Sequence, residues 1–245
     1  VKRFLADLHI HTALSPCAED EMTPPAIVQE AIRQGLAMIA ICDHNTTGNT
    51  AAVQEAAGKN IAVIAGIELT TAEEVHIIGL FPDVETACKV GETILVTLPE
   101  LTDNARIFGE QYVMDAQGQI LGRETKMLSI ASKFGISDGV NLIRQYQGLA
   151  VAAHVDRPSF SVISQLGMFP EEVRFDAIEI SAVAIRKSRV SEFTSLGLPV
   201  ITSSDSHFLS DVGMCRTVFE ITEPTFQEIA LAFQGIAGRK CCPDD

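Results

Sequence analysis

Short apolar runs recur along the chain, separated by longer stretches whose apolar residues repeat at helical spacing. The runs cover 4–10, 37–42, 61–67, 75–80, 149–153, 177–180 and 198–202. Each is of strand length, and several are rich in Ile and Val. The helical stretches cover 24–34, 49–57, 139–147, 159–166, 184–195 and 225–234. In the first of them Thr23 is placed as an N-cap, Pro24 and Pro25 open the helix, and Gly35 stops it. Near-continuous apolar strands alternating with helices predict a mostly parallel sheet covered on its outer side, in a barrel-like α/β arrangement.

One connection breaks that rhythm. Only six residues separate Glu68 from Val75, whereas a parallel crossover needs roughly a dozen. These two strands are expected to run antiparallel. The segment 112–121 reads as a hairpin turning at Asp115-Ala116-Gln117-Gly118. The stretch 97–123 is therefore expected to be an inserted hairpin or lid on what otherwise reads as one domain spanning 1–245.

All six histidines, His9, His11, His44, His76, His154 and His207, fall at or beside a strand end, most of them next to a carboxylate. Side chains at i and i+2 share a strand face. His9 and His11 can therefore converge, as can Asp205 and His207, and Asp7 is expected to share the face of His9 and orient it. The antiparallel step returns His76 to the edge that carries Glu68. In barrels of alternating strands and helices the carboxyl ends of the strands carry the active site. Imidazoles mixed with carboxylates are the ligand set of zinc, iron or manganese, and so many in one concavity require a cation. A single histidine at a strand end is more often structural; six in that context are not. No G-x-S-x-G elbow and no phosphate-cradling Walker loop is present.

Charge narrows the partners. The 32 acidic and 18 basic residues give a formal net charge of −14. Nucleic acid is bound mainly by neutralising its phosphates with Lys and Arg, so long nucleic acid is expected to be a poor partner, with short ends and small phosphorylated molecules still open. The six cysteines form no C-x-x-C pair, which suits a reducing compartment. No apolar run approaches the roughly 18 residues that span a bilayer, and the opening residues are too short for a signal peptide. A cytoplasmic protein with no membrane contact is expected; its oligomeric state is left open.

Six motifs in order, Asp7-Leu8-His9-Ile10-His11-Thr12, Asp43-His44-Asn45, Gly66-Ile67-Glu68, Glu74-Val75-His76, His154-Val155-Asp156-Arg157-Pro158 and Ser204-Asp205-Ser206-His207, carry a resemblance. The chain resembles the PHP (polymerase and histidinol phosphatase) family of metal-dependent phosphoesterases from Asp7 to about His207. The resemblance implies a distorted (β/α)7 barrel with two or three divalent metals (Zn, Mn or Fe) at the carboxyl ends of its strands. His9, His11, Glu68 and Asp205 would hold one metal. Glu68, His76 and His154 would hold a second, with Glu68 bridging. His44 and His207 would hold a third, completed from the loop after His11. There the sequence departs from many relatives. Cys17 falls nearest the ligand position, with Glu19 and Asp20 as alternatives, and a thiolate favours zinc or iron over magnesium.

The catalytic set expected on this basis is His9, His11, Glu68, His154, Asp205 and His207, acting through a water whose pKa the metals lower. Arg157, on a loop at the mouth, and Arg186, with Lys187 and Arg189 close by, are candidates for the substrate phosphate because an Arg fork matches phosphate bidentately. Asp43, beside His44, is read as a supporting group or a cap. The expected reaction is hydrolysis of a phosphate ester of a small metabolite or nucleotide. The alternatives are a nuclease acting on short nucleic-acid ends, and a non-catalytic metal-binding module.

Overall fold

The computed structural model describes residues 1–100 and 109–244. Nine strands form one sheet, and seven of them match the apolar runs: β1 (Lys2–Ile10), β2 (Met38–Ile41), β3 (Ala62–Thr70), β4 (His76–Phe81), β7 (Leu149–Ala152), β8 (Ala177–Ile180) and β9 (Val200–Thr202). β10 (Thr217–Ile221) and β11 (Lys240–Pro243) complete the spatial order β11-β10-β1-β2-β3-β4-β7-β8-β9. A second, two-stranded sheet pairs β5 (Tyr112–Met114) with β6 (Ile120–Arg123). Residues 101–108, which fall within the stretch read as an insertion, lie outside the described residues.

The large sheet nearly closes on itself. β9 lies against β11, and Thr217 of β10 uses its hydroxyl to donate to the Thr202 carbonyl at 2.8 Å and accept from the Thr202 N–H at 2.9 Å. At the opposite end a parallel bridge joins Ile10 to Ser206, where the His11 N–H donates to the Ser206 carbonyl at 3.0 Å. The result is a mostly closed mixed barrel, consistent with the expected distorted (β/α) barrel.

β4 runs antiparallel to both neighbours, β3 and β7, as the short 68–75 connection requires. Thr70 pairs with His76, so the start of β4 stands beside the end of β3. Beneath Glu68 the barrel is narrow: a Cβ on Gly66 would fall 2.6 Å from the Cys42 sulfur.

The helices are α1 (Pro24–Arg33), α2 (Thr50–Ala57), α3 (Val84–Leu95), α4 (Ile136–Gln145), α5 (Val162–Leu166), α6 (Ala182–Arg186), α7 (Val190–Thr194) and α8 (Phe226–Phe233). α1 and α2 bury Ile27, Val28, Ala31 and Val53 against Ile10, Ile39 and Ile41 on the outside of the barrel. α3 and α4 cover β3, β4 and β7 in the same way. α8 differs: Phe226, Ile229 and Phe233 join Leu8, Met38, Ala40, Ile78, Val151 and Ile201 in the interior cluster. Because Ile221, at the end of β10, pairs with Lys2 at the start of β1, α8 plugs the end of the barrel opposite the strand tips.

Two expectations change here. α3 follows β4 where no helix was anticipated; Asp83 caps it by accepting from the Thr86 N–H at 2.7 Å, a signal present in the sequence. The helix expected over 184–195 breaks into α6 and α7, with Ser188 at φ +53°. That bend turns Arg186, Lys187 and Arg189 towards one cavity.

Candidate metal centre

β1 delivers two rings to the barrel mouth through an irregularity. Asp7 and Ile10 pair with Ile39 and Ile41, so β1 holds one residue more than β2 over that interval, as in a β-bulge. Side-chain parity flips across it. Ala6 and Leu8 point into the barrel, whereas Ile10 points outward against α1. His9 and His11 both face inward after the flip, and their Nε2 atoms lie 3.2 Å apart. Asp7 does not share their face, which corrects the expectation that it orients His9: the i, i+2 rule fails across the extra residue. Asp7 instead accepts from the Ser204 N–H at 3.0 Å and the Gly213 N–H at 2.9 Å, anchoring the segment that carries Asp205. Burial pushes its carboxyl up to about 6 against those hydrogen bonds.

The remaining groups arrive from neighbouring strand ends. His44 follows β2, Glu68 lies in β3, His76 opens β4, His154 follows β7, and Asp205 and His207 follow β9. Glu68 is the hub. Its Oε1 lies 2.8 Å from His76 Nδ1 and 3.3 Å from both His9 Nε2 and His154 Nε2; its Oε2 lies 2.9 Å from His44 Nδ1 and 3.4 Å from His11 Nε2. Burial opposes its charge, but the His76, His9 and His44 rings hold Glu68 well below the usual carboxylate range. Asp205 is likewise held low, by His9 and His11 against burial. His9 is pushed the other way: Asp205, Glu179 and Glu68 overcome burial and raise it. Burial, His207 and His44 lower His11.

Hydrogen bonds fix which ring nitrogens face the centre. Glu179 of β8 can only accept, so His9 Nδ1–H donates to it at 3.0 Å. Ser15 Oγ gives its single proton to Asp43 Oδ1 at 2.7 Å and so must accept from His11 Nδ1–H at 2.9 Å. His207 Nδ1–H donates to the Asp205 carbonyl at 2.9 Å. In its neutral form each ring therefore presents a bare Nε2. The Nε2 atoms of His9 and His11 lie 3.2 Å apart with carboxylate oxygens on either side, so a proton or a metal cation must lie between them. His44 Nδ1, Glu68 Oε2 and His154 Nδ1 are buried without any hydrogen-bond partner, although the first two are only 2.9 Å apart. That geometry suits coordination rather than proton sharing.

Among the described residues three overlapping clusters have donor atoms mutually within 4.8 Å: His9, His11, Glu68 and Asp205; His44, Glu68 and His76; and His11, His44 and His207. They are consistent with two or three divalent sites. The first is the set implied by the sequence. In the second, His44 stands where His154 was expected, and His154 touches the hub only through Glu68 Oε1. Cys17 is exposed and joins none of these clusters; His207 and His44 pull its thiol down to about 6 against burial. Glu19 and Asp20 are exposed and join none of these clusters.

The backbone at this edge is strained. His154 sits at φ +29° and Asp205 at φ +49°, conformations that cost about 1–3 kcal/mol each in non-glycine residues. Asn45, at φ +55°, is held by its side chain, which donates to the Leu128 and Ile130 carbonyls and accepts from the Thr70 N–H.

A cavity of about 380 Å³ adjoins the centre and shares Asp205 and Glu179 with it. Arg157, Arg186, Lys187 and Arg189 line it, four of the 18 basic residues in the chain. Arg157 Nη1 already pairs with Asp205 Oδ2 at 2.5 Å. Asp43 supports His11 through Ser15 and also accepts from the Thr12 N–H and hydroxyl. The sequence reading missed Glu179 and Ser15. A carboxylate inside the apolar run Ala177-Ile178-Glu179-Ile180 was the available signal for the first.

Comparison with known proteins agrees with this geometry. The 5′-3′ exoribonuclease Rnm of Escherichia coli is 36% identical over 84 residues, a stretch covering 32% of this chain and 28% of that relative. The lesion-specific endonuclease PfuEndoQ of Pyrococcus furiosus has a similar fold, with a TM-score of 0.75 and 19% identity over 98% of this chain and 58% of that one. A putative metal-dependent phosphoesterase of Bifidobacterium adolescentis also shares the fold, with a TM-score of 0.57 and 20% identity over 82% of this chain and 87% of that one. These relatives overturn the expectation, drawn from net charge, that long nucleic acid is a poor partner: a protein named as an exoribonuclease shares part of this sequence, and one named as an endonuclease shares the fold. Among the described residues no helix is long and apolar enough to cross a membrane. The PHP domain profile matches residues 7–127 and the PHP-associated profile residues 191–234; with the metal clusters between and within those stretches, the chain belongs to the PHP domain family.

Proposed function

We propose that this chain is a metal-dependent phosphodiesterase that hydrolyses linkages at the ends of nucleic-acid strands. The observation that carries the reading is the basic cavity: four cationic side chains gathered beside a carboxylate-rich centre in a protein of net charge −14. A linkage held at the centre has a neighbouring phosphate, and this cavity is where that phosphate would go. Two exposed aromatic rings support it. Phe160 stacks on His76 with ring centroids 4.7 Å apart, and Phe208 follows His207. Exposed rings beside a phosphate track suit unpaired bases. The name of the exoribonuclease relative points in the same direction.

Within this reading His9, His11, Glu68 and Asp205 would hold one cation, and His44, Glu68 and His76 a second, with His154 beside the Glu68 hub. His207 faces a third position. Bound divalent cations lower the pKa of a coordinated water from 15.7 to about 7 and stabilise charge on phosphoryl oxygens. Glu179 and Ser15 keep the ring nitrogens aimed inward. Arg157 exchanges its partner Asp205 for a phosphate oxygen, and Arg186 grips the flanking phosphate.

The test uses metal-loaded protein and short 5′-phosphorylated RNA and DNA, with products resolved by chromatography. Mononucleotides released from one end support the proposal. Intact RNA and DNA in the presence of fully loaded protein would overturn it.

A further inference from the structure

Asp156 lies in a turn whose other members reach the metal centre, and it turns away from that centre. His154, at φ +29°, brings Nε2 to 3.3 Å from Glu68 Oε1, and Arg157 pairs with Asp205. The Arg157 N–H donates to the His154 carbonyl at 2.9 Å, which closes residues 154–157 into a tight turn, and the Ser161 hydroxyl donates to the Arg157 carbonyl at 2.7 Å. Asp156 stands in the wall of the basic cavity with Arg157, Arg186, Lys187 and Arg189. Both of its oxygens are taken by Ser181 rather than by those cations: Oδ1 accepts from the Ser181 N–H at 2.7 Å and Oδ2 from the Ser181 hydroxyl at 2.6 Å.

Ser181 opens α6 as its N-cap, with Oγ accepting from the Val183 N–H at 3.2 Å. The helix has five residues and buries only Ala184. So short a helix does not hold itself in water, and its placement depends on how its ends are fastened. Arg186 is its last residue, about 7.5 Å of helix from Ser181 at a rise of about 1.5 Å per residue. Lys187, the bend at Ser188 and Arg189 follow directly. A shift at the N-cap is therefore carried to the cationic wall. Asp156 is the side-chain tie between the turn that sits on the metal centre and the helix that carries this wall, and both of its bonds are charge-assisted.

We propose that Asp156 sets the spacing between the metal centre and the basic cavity, and so selects substrates whose two phosphates stand one linkage apart over substrates with a single phosphate. The inference rests on the cavity being the seat of the flanking phosphate. As a bare charge, a carboxylate in that wall repels phosphate. As a tie, it favours phosphate by holding Arg186 at the working distance. The two roles have opposite signs, and a substitution separates them.

The experiment measures kcat/KM of the metal-loaded protein on a 5′-phosphorylated dinucleotide and on the same dinucleotide without its terminal phosphate, with bound metal determined in parallel. Wild type should prefer the phosphorylated form. Asp156→Ala should cut that preference by about 10- to 100-fold, the upper figure being the cost of a displacement of about 1 Å, with metal content and hydrolysis of the dephosphorylated form little changed. Asp156→Asn keeps both bonds, one of them reversed, because its amide can donate to Ser181 Oγ; it should keep the preference. A preference that rises in both variants would make Asp156 a repulsive charge and nothing more. Equal losses on both dinucleotides would make it a support of the fold alone. Either result overturns the inference. Asp156→Glu keeps the charge and lengthens the tie by one methylene; it should reproduce the Asp156→Ala loss, and it carries the test where that variant does not fold. A wild type indifferent to the terminal phosphate would instead overturn the placing of the flanking phosphate in the cavity, and the selection assigned to Asp156 with it.

Discussion

Glu179→Gln isolates one carboxylate that touches the centre only through a ring. Glu179 and His9 are both buried, and the His9 Nδ1–H lies 3.0 Å from Oε2 and 3.4 Å from Oε1. Gln keeps the shape and can still offer an oxygen, so the neutral part of the hydrogen bond survives. What disappears is the charge that makes the ring a stronger base and fixes its tautomer. A hydrogen bond to a charged group contributes about 1.5–3 kcal/mol, roughly twice a neutral one. Half of that is lost, about 1 kcal/mol, which is about a fivefold drop in affinity for the cation beside His9. Glu179→Ala removes the acceptor altogether and should approach the hundredfold loss typical of the strongest such partners. The assay is chelator competition for the tightest-bound cation at pH of about 8, where competition from protons is small. Affinity within twofold of wild type for both variants would refute the role given to Glu179. A pair of variants with equal losses would show that the charge, and not the neutral acceptor, is what matters.

Arg186→Ala should lower kcat/KM on short 5′-phosphorylated RNA by about 10- to 100-fold, the loss of one charge-assisted contact, with metal content unchanged; loss of metal would mean that it supports the centre. Phe160→Ala should raise KM, since stacking contributes about 1–3 kcal/mol per base, and an unaltered KM would remove the ring from the substrate track. Ser15→Ala strips the His11 ring, the His44 N–H and Asp43 of a shared partner. It should destabilise the fold by about 1–3 kcal/mol, read as a lower urea midpoint at constant slope. Cation affinity should rise with pH. His9 and His44 are held well above the ordinary 6.5 in the metal-free chain, through Asp205 and Glu179 for the first and Glu68 for the second, against burial. Their protonated rings add stability that is complete below 6.5 and is lost as pH rises through the folded-state values. Cations must displace those protons, so zinc added at neutral pH should release protons into a weakly buffered dye solution. No release would show that the rings are already neutral.

The barrel strands were legible because each apolar run is long enough to be a strand and too short to be a helix, and the reversal of β4 was legible from chain length alone. The failures have physical causes. Asp7 was misread because period-two reasoning assumes an unbroken ladder, and the extra residue in β1 flips the parity between Leu8 and His9. Glu179 was hidden by its neighbours: an apolar run reads as core, and only the buried charge within it signals a partner. β10 and β11 escaped notice because β11 is a half-exposed Lys240–Pro243 strand that pairs with β10 on one side and carries no apolar run of its own. The candidate site was legible in its residues but not in its partition. Sequence order gives no distance between strand tips, so the exchange of His44 for His154 beside His76 emerges only when β4 is laid against β3 and β7.

The net charge misled for a related reason. A formal −14 is a sum over the whole surface, whereas a phosphate responds to the field within about 8–10 Å at ordinary ionic strength. Several of the acidic residues do not face solvent at all. Asp7, Asp43, Glu68 and Glu179 are buried, the first two consumed by backbone or hydroxyl donors and the others by imidazoles. Each divalent cation bound at the mouth would add two positive charges where Glu68 and Asp205 concentrate negative ones. Arg157, Arg186, Lys187 and Arg189 stand on the far side of Asp205, around one cavity. On the proposed reading, a strand held at that mouth would meet cations from the metal site and from the cavity wall. The measurable consequence of that reading is a kcat/KM that falls more steeply with added salt for phosphorylated ends than for the same oligonucleotide without its terminal phosphate.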